Sequence, residues 1–350
     1  MARDEVRRIL PADVKREVIV KDEKAETNPK WGFPPEKRPM EMHIRFGIIN
    51  LDKPPGPTSH EVVAWIKRMF NLNKAGHGGT LDPKVSGVLP VALERATRVV
   101  QALLPAGKEY VALMHLHGDV PEDKIQAVMK EFHGEIIQRP PLRSAVKRRL
   151  RTRKVYYIDV LEIDGRDVLF RVGVEAGTYI RSLIHHIGLA LGVGAHMTEL
   201  RRTRSGPFKE DDTLVTLHDL VDYYHFWKED GIEDYFRRAI QPMERAVEHL
   251  PKVWVRDSAV AAITYGADLK VPGVVKLNKG IKRGDLVAVM TLKDELIALG
   301  KATMTSGEMV QKKRGVAVDV DKVFMPRDWY PRLWDHTSSK RERRGEEQEK

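Results

Sequence analysis

The stretch Ala75-Gly76-His77-Gly78-Gly79-Thr80-Leu81-Asp82-Pro83-Lys84-Val85-Ser86-Gly87-Val88-Leu89-Pro90 constrains the chain most, because four glycines and two prolines surround one carboxylate, Asp82. Glycines admit sharp turns and the close approach of another large group. An Asp-Pro step at the end of such a turn presents the aspartate side chain instead of packing it. The same residues also read as a helix cap, with Asp82 at the cap and Pro83 at the first helical position. On pattern alone both readings stand.

Charge gives the second constraint. The chain carries 60 basic and 50 acidic residues, a net charge of +10. One stretch nearly accounts for the excess: Arg139, Arg143, Lys147, Arg148, Arg149, Arg151, Arg153 and Lys154 place eight positive charges together with no acid between them. Charge at that density repels itself unless a polyanion lies against it, so nucleic acid is the expected partner. The alternative is a solvated loop. Cysteine is absent, which excludes disulfides, thiolate metal sites and thiol catalysis. The pairs His115/His117 and His185/His186 have no matching acidic cluster, so no metal is expected. Met1 to Val20 is highly charged and lacks the apolar segment of a signal peptide, and no apolar run reaches membrane-spanning length. These features predict a soluble intracellular protein with no membrane contact.

In chain order, residues 1 to 45 are charged and proline-bearing and cannot form a core alone. Phe46 to Leu51 reads as a strand. Thr58-Ser59-His60-Glu61 has capping-box spacing before Val62, Trp65, Ile66, Met69 and Phe70 at helical intervals. Tyr110 to His117 is strand-like and Pro121 to Phe132 helical. The basic segment 139–154 lacks periodicity and reads as a loop or extended arm. Val155 to Ile163 and Asp167 to Val174 flank Asp164-Gly165, a hairpin signal. Gly177-Thr178-Tyr179-Ile180-Arg181-Ser182-Leu183 opens a helix that Gly192 ends. Arg181 falls in its first turn, where the helix dipole disfavours a cation by about 0.3–1 kcal/mol, so Arg181 is expected to answer an anion elsewhere. Residues 209–250 read as helical, with packing aromatics from Tyr223 to Trp227, and Val253 to Pro326 as short glycine-punctuated strands of a small barrel.

Taken together, Gly76-His77-Gly78-Gly79-Thr80-Leu81-Asp82-Pro83 with Ser86-Gly87-Val88-Leu89-Pro90 resembles the catalytic motif of the TruB-type RNA pseudouridine synthases. Further matches follow in family order: Leu51-Asp52-Lys53-Pro54-Pro55-Gly56, Lys108-Glu109-Tyr110, Gly177 to Leu183, and His196-Met197-Thr198-Glu199-Leu200-Arg201-Arg202-Thr203. The region Gly266-Ala267-Asp268-Leu269, Val271-Pro272-Gly273-Val274 and Lys282-Arg283-Gly284-Asp285 resembles a PUA domain. The whole is similar to the dyskerin branch in its compact archaeal form. The resemblance implies an α+β pseudouridine synthase fold with a mixed, mainly antiparallel sheet flanked by helices, plus a small β-barrel PUA domain. The implied divisions are an extension at 1–45 packing on the PUA domain, a catalytic domain at 46–249, a PUA domain at 250–330 and a disordered charged tail at 331–350.

The implied reaction isomerises uridine to pseudouridine in rRNA or tRNA and requires neither cofactor nor metal. Asp82 would serve as nucleophile or as base abstracting a sugar proton; the residues do not choose between these routes. If buried, it would need Arg181 beside it to stay charged. Tyr110 would stack on the base, and Tyr179 would handle the proton lost from the base carbon. Lys53 would brace the loop, His77 would support the extruded nucleotide, and Leu183 and Leu200 would line the pocket. Arg143, Lys147, Arg148, Arg149, Arg151, Arg153 and Lys154 would clamp RNA. The resemblance also implies a box H/ACA guide RNA, with a zinc-ribbon-like, a glycine-arginine-type and a kink-turn-binding partner protein. It places the protein in the cytoplasm of an archaeal cell, or the nucleolus of a eukaryotic one. Two other readings are a stand-alone tRNA enzyme and a non-catalytic RNA-binding scaffold.

Overall fold

The computed structural model describes residues 9–139 and 149–333. The chain divides into two compact units, one holding Ile44–His249 with the residues up to Val14, the other holding Lys15–His43 with the residues from Leu250 on.

The first unit is built on an eleven-stranded sheet. Its main path runs Leu214–Val215, Gly47–Lys53, Ser86–Leu93, Ala195–Ser205, Lys108–Leu116, Asp167–Val174, Arg151–Asp164 and Gly134–Gln138. Two joins are parallel, Ser86–Leu93 to Ala195–Ser205 and Leu214–Val215 to Gly47–Lys53. The other pairs are antiparallel, so the sheet is mixed and mainly antiparallel. Helices Glu122–Glu131 and Ile180–Leu191 cover one face. Ile125, Met129, Ile180, Leu183, Ile184 and Ile187 are buried there against Met114, Val155, Phe170 and Val172. Apolar residues at helical spacing on one side and alternating along the strands on the other make that packing.

Local chemistry explains the ends of these elements. Thr58 caps helix Ser59–Met69, its hydroxyl accepting from the Glu61 amide while the Glu61 carboxylate accepts from the Thr58 amide. Gly192, at φ 84°, ends helix Ile180–Leu191 in the left-handed conformation that glycine adopts without cost. Gly87 sits opposite Arg202 in the sheet, and a Cβ on it would lie 2.2 Å from the Arg202 carbonyl oxygen.

The second unit holds a seven-stranded sheet in the order Val18–Val20, Val274–Asn278, Lys252–Val255, Leu286–Thr291, Leu296–Ala302, Val316–Val323, Leu269–Lys270. Its core collects Val253, Val260, Ile263, Leu277, Val289 and Ile297. Strand Val18–Val20, which the sequence leaves inside a charged extension, pairs in register with Asn278, Leu277 and Lys276.

Two open readings are decided and one expectation is corrected. Pro83 and Lys84 form a turn leading into strand Ser86–Leu93, with the Val85 amide donating to the Asp82 carbonyl at 3.0 Å; no helix follows for Asp82 to cap. Residues Arg151, Arg153 and Lys154 belong to strand Arg151–Asp164, not to a loop, because alternation continues through the charges and pairs with Gly134–Gln138. The segment 209–250 is only partly helical, since Leu214–Val215 and Ile240–Pro242 add to strand Gly47–Lys53. Arg143, Lys147 and Arg148 lie outside the described residues.

Gly188, on helix Ile180–Leu191, tests how tightly that helix seats. A Cβ there would lie 2.2 Å from the Ala195 amide nitrogen, which is backbone and cannot yield. Gly188→Ala is expected to cost about 1–3 kcal/mol, a fall in Tm of several degrees by calorimetry. An unchanged Tm would show that the helix has room to shift.

Candidate active site

The glycine-rich loop has little regular structure of its own between His77 and Ser86, yet nearly every carbonyl in it is held. Lys53, fully buried at the end of its strand, donates from Nζ to the carbonyls of Pro54, Pro83 and Val85 at 2.8, 3.2 and 2.9 Å. Ser59, buried at the start of its helix, accepts from the Leu81 amide and donates to the Leu81 carbonyl, at 2.8 and 2.9 Å. The Gly56 amide donates to the Pro83 carbonyl at 2.8 Å. From the other side, Arg202 donates to Gly79 O, Thr80 O and Val88 O at 3.0, 3.4 and 2.8 Å.

Asp82 stands out of this frame. Its carboxylate lies 3.8 Å from Arg181 Nη2, and the two side chains are 67% and 66% exposed. The carboxylate is presented rather than packed, and water reaches it directly. Arg181 occupies the first turn of its helix, opposed by the helix dipole. Immediately before it, the Tyr179 backbone is held on both sides by buried Gln138, whose side chain accepts from the Tyr179 amide at 3.0 Å and donates to its carbonyl at 3.1 Å. Tyr110, half-buried, lies opposite Arg202 across the ladder.

His77 packs edge-on against His60, ring centroids 5.0 Å apart. Burial, then His60 and Arg202 beside it, holds its imidazole below the ordinary value. Leu183 is in the core beneath its helix, not on a cleft wall, and Leu200 is half-buried against the same cluster. Of the basic stretch, Arg149 is exposed. Arg153 bridges to Glu175 at 3.5 Å and Lys154 sits 5.9 Å over the Tyr156 ring, so both have partners within the fold. Among the described residues no cluster of histidine and carboxylate side chains is arranged to hold a metal.

Two residues escape sequence reasoning. Arg202 is 1% exposed and Lys108 5% exposed, and neither has an ion-pair partner among the described residues. Lys108 Nζ donates only to the Leu103 carbonyl, at 2.8 Å. Burial, then the nearby Arg202 charge, push the Lys108 ammonium down to about 7. Lys53 is also lowered, by burial first and Arg202 second, while the Asp82 charge pulls it back up. Three buried cations thus lie beneath the loop that carries the exposed carboxylate.

Comparison with known proteins adds the following. Residues 67–180 match the TruB family pseudouridylate synthase N-terminal domain, 181–248 the tRNA pseudouridylate synthase B C-terminal domain, 251–324 the PUA domain and 9–63 the DKCLD domain. A probable tRNA pseudouridine synthase B of Thermococcus onnurineus is 90% identical over 95% of this chain and 100% of its own length. One from Methanopyrus kandleri is 62% identical over 95% of this chain and 98% of its own length. Among solved structures, a Cbf5-Nop10-Gar1 complex matches at 86% identity and TM-score 0.91, covering 94% of this chain and 100% of that one. An H/ACA RNP bound to a substrate RNA containing 2′-deoxyuridine matches at 83% identity and TM-score 0.89, covering 93% and 100%. Among the described residues, no helix is long and apolar enough to cross a membrane.

Lys108 gives a pH-dependent signature. An unfolded lysine titrates near 10.4, so between about 7 and that value the unfolded chain holds a proton that the folded chain has released. The contribution of this group to stability therefore rises with pH across the window, by about 1.4 kcal/mol per unit, and is flat below it. Denaturant titrations at a series of pH values are expected to show this rise in the parent protein and its loss in Lys108→Met. Identical pH dependence in both would mean that Lys108 is charged in the fold at neutral pH.

Proposed function

The chain belongs to the TruB-type RNA pseudouridine synthases, in their archaeal dyskerin branch, and from that membership we propose that it isomerises uridine to pseudouridine at sites chosen by a box H/ACA guide RNA. The observation that carries this reading is an exposed carboxylate, Asp82, within 3.8 Å of a guanidinium, on a loop whose carbonyls are tied down by buried Lys53 and Arg202.

The reaction breaks the C1′–N1 glycosidic bond, turns the base and joins C1′ to C5; the C5 proton leaves and N1 gains one. No atom is lost and nothing is oxidised. Asp82 acts at the sugar, by attacking C1′ or by removing the C2′ proton. The Arg181 guanidinium sets the direction of the carboxylate and takes on electrostatic weight once RNA excludes solvent. Tyr110 holds the extruded base by stacking, and Tyr179, fixed through its backbone by Gln138, takes the C5 proton. His77, held toward its neutral form, supports the flipped nucleotide.

Residues 46–249 carry the chemistry and 250–330 anchor the guide, with the segment Lys15–His43 built into that second unit. RNA duplexes are read by shape more than by sequence, so base pairing with a guide supplies the choice of uridine. Relatives at 82–86% identity were solved with Nop10, or with Nop10 and Gar1. This chain is proposed to take a zinc-ribbon-like and a glycine-arginine-type partner in the same way, with a kink-turn binder on the RNA. It acts in the cytoplasm. Basic residues from Arg143 to Lys154 contact substrate phosphates, with Arg149 exposed to do so. A second reading, a guide-independent tRNA enzyme, is favoured by the names of the curated relatives.

Asp82→Asn, assayed for tritium release from C5-labelled RNA in the full complex, is expected to lose activity by at least about 10²–10⁴-fold while RNA affinity holds. Surviving activity would remove Asp82 from the chemistry. Exchanging the guide sequence is expected to move the modified uridine; modification of tRNA by the bare protein at an unchanged site would favour the second reading.

A further inference from the structure

We propose that Arg202 is a positioning residue that locks the acid-bearing loop to the base-holding tyrosine, so that one buried guanidinium sets the distance between the group acting on the sugar and the group holding the base. The inference rests on the roles just given to Asp82 and Tyr110.

Arg202 lies in the central strand Ala195–Ser205, with Gly87 opposite on one side and Tyr110 opposite on the other. Its guanidinium spans the same interval through side-chain contacts. Nη1 and Nη2 reach the Thr80 and Gly79 carbonyls, two and three residues before Asp82. Nε reaches Val88 on the strand that leaves the loop. The backbone that carries this guanidinium is paired in the ladder with Tyr110. The fork therefore holds both ends of the loop from a residue whose strand partner is Tyr110, so sheet register alone separates the loop from the tyrosine.

The chemistry around Arg202 is wrong for a residue kept for stability. It is 1% exposed and forms no ion pair among the described residues, and burying a cation without a counter-charge is costly. It also sits beside two more buried cations, Lys53 and Lys108, each of which it makes harder to charge. An apolar side chain of the same length would fill the volume and remove the repulsion. What it would not do is hold carbonyls at both ends of the loop at once, for which the rigid fork of arginine is suited and an ammonium is not.

Single-turnover pseudouridylation with the full chain, guide RNA and partner proteins tests this. Arg202→Met is expected to leave Tm unchanged or higher and RNA Kd unchanged, while the rate at saturating RNA falls about 10–100-fold. An undiminished rate would make Arg202 a structural filler and overturn the proposal. Should Arg202→Met fail to fold, Arg202→Lys and Tyr110→Phe form a double-mutant cycle that keeps both fold and ring. Coupling predicts that the double variant is no slower than the slower single one; additive losses would overturn the link. Asp82→Asn run in parallel separates the two levels. If it is inactive while Arg202→Met is fully active, only the link fails; if it is active, the underlying assignment of Asp82 fails.

Discussion

A glycine-rich loop cannot hold a carboxylate in place by itself, because the residues that let it turn sharply also leave its backbone free to move. The structure solves this by tying loop carbonyls to buried cations. Lys53 takes Pro83 and Val85, Arg202 takes Gly79, Thr80 and Val88, and Ser59 closes both hydrogen-bonding groups of Leu81. Every one of these donors sits on a regular element. The loop inherits the rigidity of the sheet and of helix Ser59–Met69 without becoming part of either, and Asp82 is left exposed together with Thr80, Pro83 and Lys84.

Such a frame is costly. Lys53, Lys108 and Arg202 are desolvated together, and Lys108 is driven down to about 7 as a result. A polar network of this kind is tolerated only where each donor is satisfied, and carbonyl dipoles rather than carboxylates do that here. The absence of a carboxylate partner for Arg202 among the described residues has a chemical consequence. A second acid beneath the loop would neutralise the cations and repel Asp82. With carbonyls as the acceptors, no second carboxylate among the described residues competes with Asp82 for the cations under the loop.

What could be read from the sequence, and what could not, divides along physical lines. The cap at Thr58, the hairpin at Asp164-Gly165 and the helix from Ile180 to Gly192 were legible because each is encoded within a few neighbouring residues. Arg181 was legible by contradiction, a cation where the dipole opposes it. Arg202 was not: within Leu200-Arg201-Arg202-Thr203-Arg204 it is one arginine of three, and only sheet register decides which one turns inward. Arg201 instead pairs with Asp52 at 3.0 Å, and Arg204 with Asp13. The run from Arg151 to Lys154 misled for a related reason, since charge masked the alternation that continues into Val155 and Tyr157. Leu183 was assigned to the pocket although its spacing with Ile180, Ile184 and Ile187 already marked the buried face.

The open position of Asp82 and Arg181 bears on how the site becomes active. At about 4 Å two unit charges interact by about 1 kcal/mol in bulk water and about 4 kcal/mol at an effective dielectric near 20, and exposed pairs commonly contribute at the lower end of that range. In the free protein the pair is therefore a loose one. Covering it with RNA removes the water without moving either residue, since the acid is fixed by its loop and the arginine by its helix. In the proposed function the substrate then acts as part of the electrostatic environment, strengthening the contact that orients the carboxylate. On that proposal a uridine that fails to seat leaves the pair hydrated and weakly oriented, and selection by pairing and activation by desolvation fall at the same step.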